Sequence, residues 1–382
     1  NMAVKKKILI VNDLLKGGGV EKLMYDLVWH WHDKYDISIM TTGYCEGAAA
    51  LYPENVKYYS EAVKKEYREN IIQKVYNKIQ KKIYKAYFNH RIKKQNFDIV
   101  IAMKDGWVVQ KVGTMDIPEK YAWIHTDYSS YYYTYDIFHG KDNELNCLKQ
   151  FKKVVCVSNK IRESIIEVLG DPGNLVVRYN PIDVNAIIEK SKEILVDVEA
   201  KNTEKTPRFV TVGRLNFQKG YDLLLEACHM LELDGYKFEV WVIGGEEPWG
   251  QEHYRLYQAK KRMNVTSVKF LGGRQNPYKY MKAADWFLSS SIFEGYSLVS
   301  QEAAVLDVPL ILTDCSGVRE LLGDSEYGIV MEISVAGIYE AMKRVIEHPE
   351  LNDYYKQKIG ERKRSISFEE RIKAIEKLIE ND

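Results

Sequence analysis

Phe209-Val210-Thr211-Val212-Gly213-Arg214-Leu215, a short apolar run closing on a glycine, starts a sheet afresh in the middle of the chain. Helical spacing follows over Tyr221–Leu233, and a second apolar run follows at Phe238–Ile243. Strand, helix and strand in that order form the unit of a parallel sheet whose crossover helices cover its faces. Downstream the pattern continues, with strands expected at Val268–Leu271, Trp286–Ser289 and Leu310–Leu312 and helices at Val299–Leu306 and Ala336–Glu347. Upstream an independent series reads as strands at Lys7–Val11, Ile37–Thr41, Asp98–Ala102, Tyr121–His125 and Lys153–Ser158, with helices at Val20–His32 and Lys160–Leu169. Most of these strands are continuous apolar runs rather than alternating ones, as in sheets covered on both faces.

A polar segment rich in Lys and Glu, from Asn180-Pro181 to Pro207, separates the two series. The expected organisation is a doubly wound domain over 1–190, a linker over 191–207, a second doubly wound domain over 208–366 and a terminal helix over 367–382. That helix places Phe368, Ile372, Ile375, Leu378 and Ile379 on one face, suited to packing back on the N-terminal domain. A chain of 382 residues has the length of two cores, and 46% hydrophobic with 29% charged residues is a globular composition. Its 55 Lys and Arg against 54 Asp and Glu argue against a generally basic nucleic-acid binder. The charge is uneven, about +7 up to Lys192 and about −6 beyond it, which suits two domains with different surroundings.

No apolar run approaches the ~20 residues of a membrane span. Lys5-Lys6-Lys7 is followed by only four apolar residues before Asn12-Asp13, so no secretory leader is expected and the location is read as cytoplasmic. The five cysteines are dispersed without a C-x-x-C pair, which speaks against a disulfide framework or a zinc site.

Three segments carry chemistry. Lys16-Gly17-Gly18-Gly19-Val20-Glu21 joins the first strand to a helix; its glycines suit close approach of an anion to a helix N-terminus, or simply a flexible loop. It lacks the third glycine of a dinucleotide fingerprint, Lys22 standing there instead. Arg214 and Lys219, across the loop after Phe209–Val212, read as a diphosphate clamp or as two solvated cations. The stretch Ser291-Ile292-Phe293-Glu294-Gly295-Tyr296-Ser297-Leu298-Val299-Ser300-Gln301-Glu302 sets one carboxylate on a loop, a helix start after it, and a second carboxylate on the helix. That order matches a sugar, a diphosphate and a ribose; the alternative is a capping Glu294 and an ordinary helical Glu302.

Together these motifs resemble glycosyltransferase family 4, retaining nucleotide-sugar transferases of the GT-B fold, over nearly the whole chain. The resemblance implies two Rossmann-like domains facing a central cleft, acceptor in the first and nucleotide sugar in the second. It implies that Arg214 and Lys219, with backbone at Gly18, Gly19, Leu298 and Val299, hold the donor diphosphate. It implies further that Glu302 binds the ribose, that Glu294, Gly295 and Tyr296 lie against the donor sugar or ribose, and that Gly273 and Arg274 lie near the nucleobase. Tyr121-Ala122-Trp123-Ile124-His125 resembles the segment whose histidine faces the sugar, which makes His125, with Glu294, the implied catalytic residues. One departure is Gly244-Gly245-Glu246-Glu247-Pro248, where the family has Gly-Asp-Gly-Pro. No D-x-D sequence is present, so no metal and no cofactor are expected beyond the nucleotide sugar itself, taken as UDP-linked because that donor is common among similar enzymes. The expected product is α-linked from an α-linked donor, a hexose or N-acetylhexosamine passed to a saccharide or lipid-linked acceptor in capsular or exopolysaccharide or glycolipid synthesis.

Residues 64–94 carry eleven Lys or Arg against two Glu beside an apolar stripe at Ile72, Val75, Tyr76, Ile79, Ile83, Ala86 and Tyr87. Such a helix suits an anionic membrane surface, hence peripheral attachment at the inner face of the plasma membrane; a docked helix with a solvated face is the alternative. Tyr128, Tyr131, Tyr132, Tyr133 and Tyr135 follow His125 and suit either sugar stacking or packing. Competing functions are a nucleotide-sugar epimerase or phosphorylase on the same fold, and a nucleotide-binding regulatory or dehydrogenase-like protein, which would prefer NAD to UDP.

Overall fold

The computed structural model describes residues 5–15, 18–43, 47–61, 89–198, 206–245 and 250–380. The chain forms two compact units: Asn1–Val157 with Ile161–Tyr179 and Ile375–Asp382, and Ser158–Lys160 with Asn180–Ala374. Among the described residues, unit 1 contains seven parallel strands: β1 (Lys7–Asn12), β2 (Asp36–Thr41), β3 (Lys57–Ser60), β4 (Ile99–Ala102), β5 (Glu119–Ile124), β6 (Lys153–Cys156) and β7 (Leu175–Val177), in the order β3-β2-β1-β4-β5-β6-β7. The described residues of unit 2 contain six: β8 (Arg208–Val212), β9 (Glu239–Ile243), β10 (Val268–Gly272), β11 (Trp286–Ser289), β12 (Leu310–Thr313) and β13 (Ile329–Met331), ordered β10-β9-β8-β11-β12-β13. Each sheet therefore starts at its middle, runs to one edge and returns to the other side of its first strand. The turning points lie between β1 and β4 and between β8 and β11, where ligands settle at the carboxyl ends of the strands.

The continuous apolar runs have the predicted cause. Ile8, Leu9, Ile10 and Val11 are fully buried, and helix Gly19–Trp31 buries Leu23, Met24, Leu27, Val28 and Trp31. In unit 2, Phe209, Val240, Val242, Leu288 and Ile311 from the sheet meet Leu224, Leu225 and Leu231 of helix Tyr221–Leu233 and Ile338 and Met342 of helix Val335–Glu347. Each such side chain contributes about 1.5–3 kcal/mol on leaving water.

The division falls at Asn180, not at residue 190. Helix Val184–Ser191, counted above with the first domain, belongs to unit 2: Asp183 caps it by accepting from Ala186 N–H at 3.0 Å, Ile187 is buried, and Lys190 O accepts from Asn276 at 2.8 Å. The terminal helix runs Phe368–Glu380, and its last residues cluster with unit 1, where Trp31 Nε1 donates to Glu376 at 3.0 Å and Lys34 pairs with Glu376 at 3.0 Å and Glu380 at 2.7 Å. Most of the basic segment 64–94, and Lys16, Gly17, Glu246, Glu247 and Pro248, lie outside the described residues. Among the described residues no helix is long and apolar enough to cross a membrane.

Candidate active site

In unit 2 the loops leaving β8 and β11 are tied to each other at the turning point of the sheet. Lys219 donates to Glu294 Oε1, an oxygen that also accepts from Ser291 Oγ at 2.7 Å. Ser290 Oγ donates to Lys219 O at 2.8 Å, Ile292 N–H to Gln218 O at 2.8 Å, and Gln218 Nε2 to Phe293 O at 3.1 Å. Two glycines permit this closeness. A Cβ on Gly220, whose φ is +61°, would lie 2.1 Å from Ser290 O, and one on Gly213 would lie 2.8 Å from Lys219 Cε. Lys219 and Glu294, to which the family resemblance gives separate tasks, thus form one half-buried ion pair. Arg214 stands exposed on the same loop.

Helix Leu298–Val305 starts where the sequence implied. Ser297 caps it, its hydroxyl accepting from Ser300 N–H at 3.3 Å, and Leu298 and Val299 form the first turn. Glu302, 5% exposed, accepts from the buried Tyr278 hydroxyl at 3.2 Å. Tyr296 is buried against Gly317, where a Cβ would meet its ring at 2.5 Å, so it acts on the loop as an anchor; burial pushes its phenol up. Gly273 is exposed just past β10. Arg274 pairs with Asp197 at 3.0 Å and reaches Tyr280 Oη at 3.1 Å.

The turning point of unit 1 has the same place in its sheet and different contents. Gly18 precedes helix Gly19–Trp31 in extended backbone, and Glu21 on its first turn is buried, accepting from Asn12 Nδ2 at 3.4 Å. Asp13 after β1 pairs with Lys104 after β4 at 2.8 Å. Burial works against the Lys104 charge, but Asp13, Glu21 and Asp105 outweigh it and hold the ammonium above the usual range. Asp105 is 4% exposed, and its Oδ2 meets no hydrogen-bond donor. Gly106, at φ +77°, admits Tyr133, whose hydroxyl would lie 3.1 Å from an added Cβ. Burial, then Asp105, drives the Tyr133 phenol upward.

His125 follows β5, and its Nε2 lies 2.9 Å from Met103 O. A carbonyl only accepts, so Nε2 carries the hydrogen and the neutral ring offers Nδ1 as an acceptor. Burial lowers the ring's pKa from the ordinary 6.5, against the opposing pull of Asp105. The tyrosine run divides as follows. Tyr128 and Tyr132 donate to the fully buried Glu144 at 2.8 and 2.9 Å, joined by Thr134 at 2.9 Å, while Tyr131 stacks on Tyr133 with centroids 5.6 Å apart. Burial raises the Glu144 carboxyl despite those three donors.

Sequence reasoning did not single out Asp13, Lys104, Asp105, Ser291 or Gln218. The available signal was positional: each immediately follows, or faces, the carboxyl end of a strand flanking a turning point.

The model described as Glycosyltransferase Family 4 matches residues 17–186, and that described as Glycosyl transferases group 1 matches residues 191–362. The chain belongs to glycosyltransferase family 4, and its fold is GT-B. It is 34% identical over 191 residues to the Campylobacter jejuni N-acetylgalactosamine-N,N'-diacetylbacillosaminyl-diphospho-undecaprenol 4-alpha-N-acetylgalactosaminyltransferase, covering 49% of this chain and 48% of that one. It is 26% identical over 217 residues to the Escherichia coli UDP-Gal:alpha-D-GlcNAc-diphosphoundecaprenol alpha-1,3-galactosyltransferase, 55% of each chain. The chain thus matches about half the length of these curated relatives. Among solved structures, Anabaena Alr3699/HepE in complex with UDP and glucose superimposes with a TM-score of 0.76 at 16% identity, covering 98% of this chain and 99% of that one.

Proposed function

We propose that the protein is a retaining glycosyltransferase that moves a hexose or N-acetylhexosamine from a UDP-sugar to a saccharide or lipid-linked acceptor in capsular, exopolysaccharide or glycolipid synthesis. The observation carrying this reading is the Lys219–Glu294 pair at the turning point of unit 2, followed at once by the capped helix start at Leu298. A diphosphate there meets the cations of Arg214 and Lys219 and the free N–H groups of the first helical turn. Glu302 takes the ribose hydroxyls, Glu294 lies at the sugar, and Gly273 with Arg274 borders the base. His125 contributes from unit 1, which takes the acceptor.

In the transfer, the bond from the anomeric carbon to the diphosphate oxygen breaks and its electron pair leaves with the diphosphate. The acceptor hydroxyl oxygen forms the new bond on the same face, and its proton passes to the leaving phosphate. The protein's own cations offset the leaving charge, so no metal is assigned a step. Relatives acting on lipid-linked sugars, together with the basic 64–94 segment, support attachment to an anionic membrane face.

A thermal-shift panel of UDP, GDP, ADP and NAD tests the nucleotide. Stabilisation by UDP above the others is expected, and preferential stabilisation by NAD would sink the reading. Proton NMR of the product tests the stereochemistry, for which an α linkage from an α-linked donor is expected. Pelleting with anionic vesicles, lost on changing Lys78, Lys81, Lys82 and Lys85 to Glu, tests the membrane contact.

A further inference from the structure

The helix start at Leu298 is held by a residue far away in sequence. Arg371 lies in the first turn of helix Phe368–Glu380, in the part that belongs to unit 2, as do Asn180, Tyr296 and Gln301. Its Nη1 donates to Gln301 Oε1 at 2.7 Å, across 70 residues, and to Asn180 O at 2.8 Å, across 191. Gln301 is fully buried, and its Nε2 donates to Ser297 O at 3.3 Å. A guanidinium only donates, so the Gln301 amide turns its oxygen to Arg371 and its nitrogen to Ser297. Ser297 is the cap itself, its hydroxyl meeting Ser300 N–H at 3.3 Å and Ser300 Oγ at 3.0 Å.

The same guanidinium reaches Tyr296. Burial raises that phenol, and Arg371 works against the rise through its charge and a side-chain hydrogen bond. Tyr296 and Ser297, the two residues that lead into the helix, are therefore both tied to Arg371, one directly and one through Gln301. The N–H groups of a first helical turn have no partner within their helix, so their aim depends on what fixes the residues before them. Loss of the guanidinium would leave the buried Gln301 oxygen without that donor and let the amide turn away from Ser297. A planar fork suits this task, because it holds several acceptors at once in a fixed geometry.

We propose that Arg371 is a positioning residue for sugar transfer. Through Gln301, Ser297 and Tyr296 it aims the N–H groups of Leu298 and Val299 at the donor diphosphate. The inference rests on the nucleotide-sugar reading above and adds a residue that lies outside the motifs assigned to the donor. The first turn of the terminal helix thereby acts on the donor site.

The test uses the full chain and NMR titration with two probes, UDP and uridine, the second lacking the diphosphate. Arg371→Lys keeps a positive charge and loses the fork; it should weaken UDP about tenfold and uridine by less than about twofold. Gln301→Met keeps the volume and removes the amide, and should shift UDP in the same direction. The double variant should bind UDP no more weakly than the weaker single variant, because both act on one chain of contacts. Similar losses for UDP and uridine would mean a general structural role, and unchanged UDP affinity in Arg371→Lys would mean that charge alone suffices. Additive losses would mean that Arg371 does not act through Gln301. Each of these outcomes overturns the proposal. Failure of the unaltered protein to bind UDP counts against the nucleotide-sugar reading and takes this inference with it. UDP binding with no selective loss in the variants counts against the role of Arg371 alone.

Discussion

The two sheets turn at equivalent places, yet their loops are built differently. In unit 2 the loops after β8 and β11 hold each other through four polar contacts and two glycines with no room for a Cβ, so the cation and the carboxylate are fixed against one another. In unit 1 the loops after β1 and β4 meet mainly through Asp13 and Lys104 and leave an aromatic-edged cavity. Loops that lock one another hold their side chains in one arrangement, whereas a cavity lets its lining side chains change without disturbing the sheet.

The comparison breaks most visibly through charge. Lys219→Ala removes the cation of the fixed cradle and leaves Glu294 without its partner; transfer should fall about 10²–10³-fold, and Arg214→Ala should fall in the same range. UDP release at saturating donor checks both, and near-wild-type turnover would remove the diphosphate role. Next in size is backbone: Gly220→Ala combines a positive φ with a Cβ 2.1 Å from Ser290 O and should cost about 3 kcal/mol, read as a lowered unfolding midpoint. Gly173→Ala in unit 1, at φ +86° with open space around it, should cost only about 1 kcal/mol. Equal costs would mean that the interlocking of the unit 2 loops carries no stability.

A smaller effect is expected at Glu302. Its replacement by Ala should weaken UDP about tenfold, near 1.4 kcal/mol, measured by titration calorimetry with UDP alone. Unchanged affinity would refute the ribose contact. The smallest effect separates the units by pH. His125 has its folded pKa depressed below the ordinary 6.5, so the unfolded chain binds the proton first and stability falls as pH drops below about 6.5. One proton limits the slope to about 1.4 kcal/mol per pH unit. His125→Gln should flatten that slope in denaturant titrations between pH 7 and 5, and an unaltered slope would mean that other groups carry it.

What could be read in advance follows from where each element sits. The central strands were legible because burial on both faces demands continuous apolar runs, as in Ile8–Val11 and Phe209–Val212. The missed strands, β3, β7 and β13, are all edges: Lys57–Ser60 and Leu175–Val177 are short and only half-buried, and Ile329–Met331 has three residues. An edge strand needs neither length nor unbroken apolarity, so its composition resembles a loop. The domain division shifted for a related reason. The polar segment after Asn180 looks like a linker by composition, but Asp183 capping and buried Ile187 make part of it a helix of unit 2.

By itself the sequence determined the two doubly wound sheets, because strand length, apolar continuity and helical spacing are local properties. It also determined that glycines would stand beside the candidate charges at Arg214, Lys219 and Glu294, since close approach needs a missing side chain. Only the tertiary structure decided which charges answer one another. Lys219 with Glu294 lies 75 residues apart in sequence, Lys104 with Asp13 91 apart, and Lys111 with Glu61 50 apart. Pairings at such separations depend on which strand lies next to which. The parallel order of the sheets sets that.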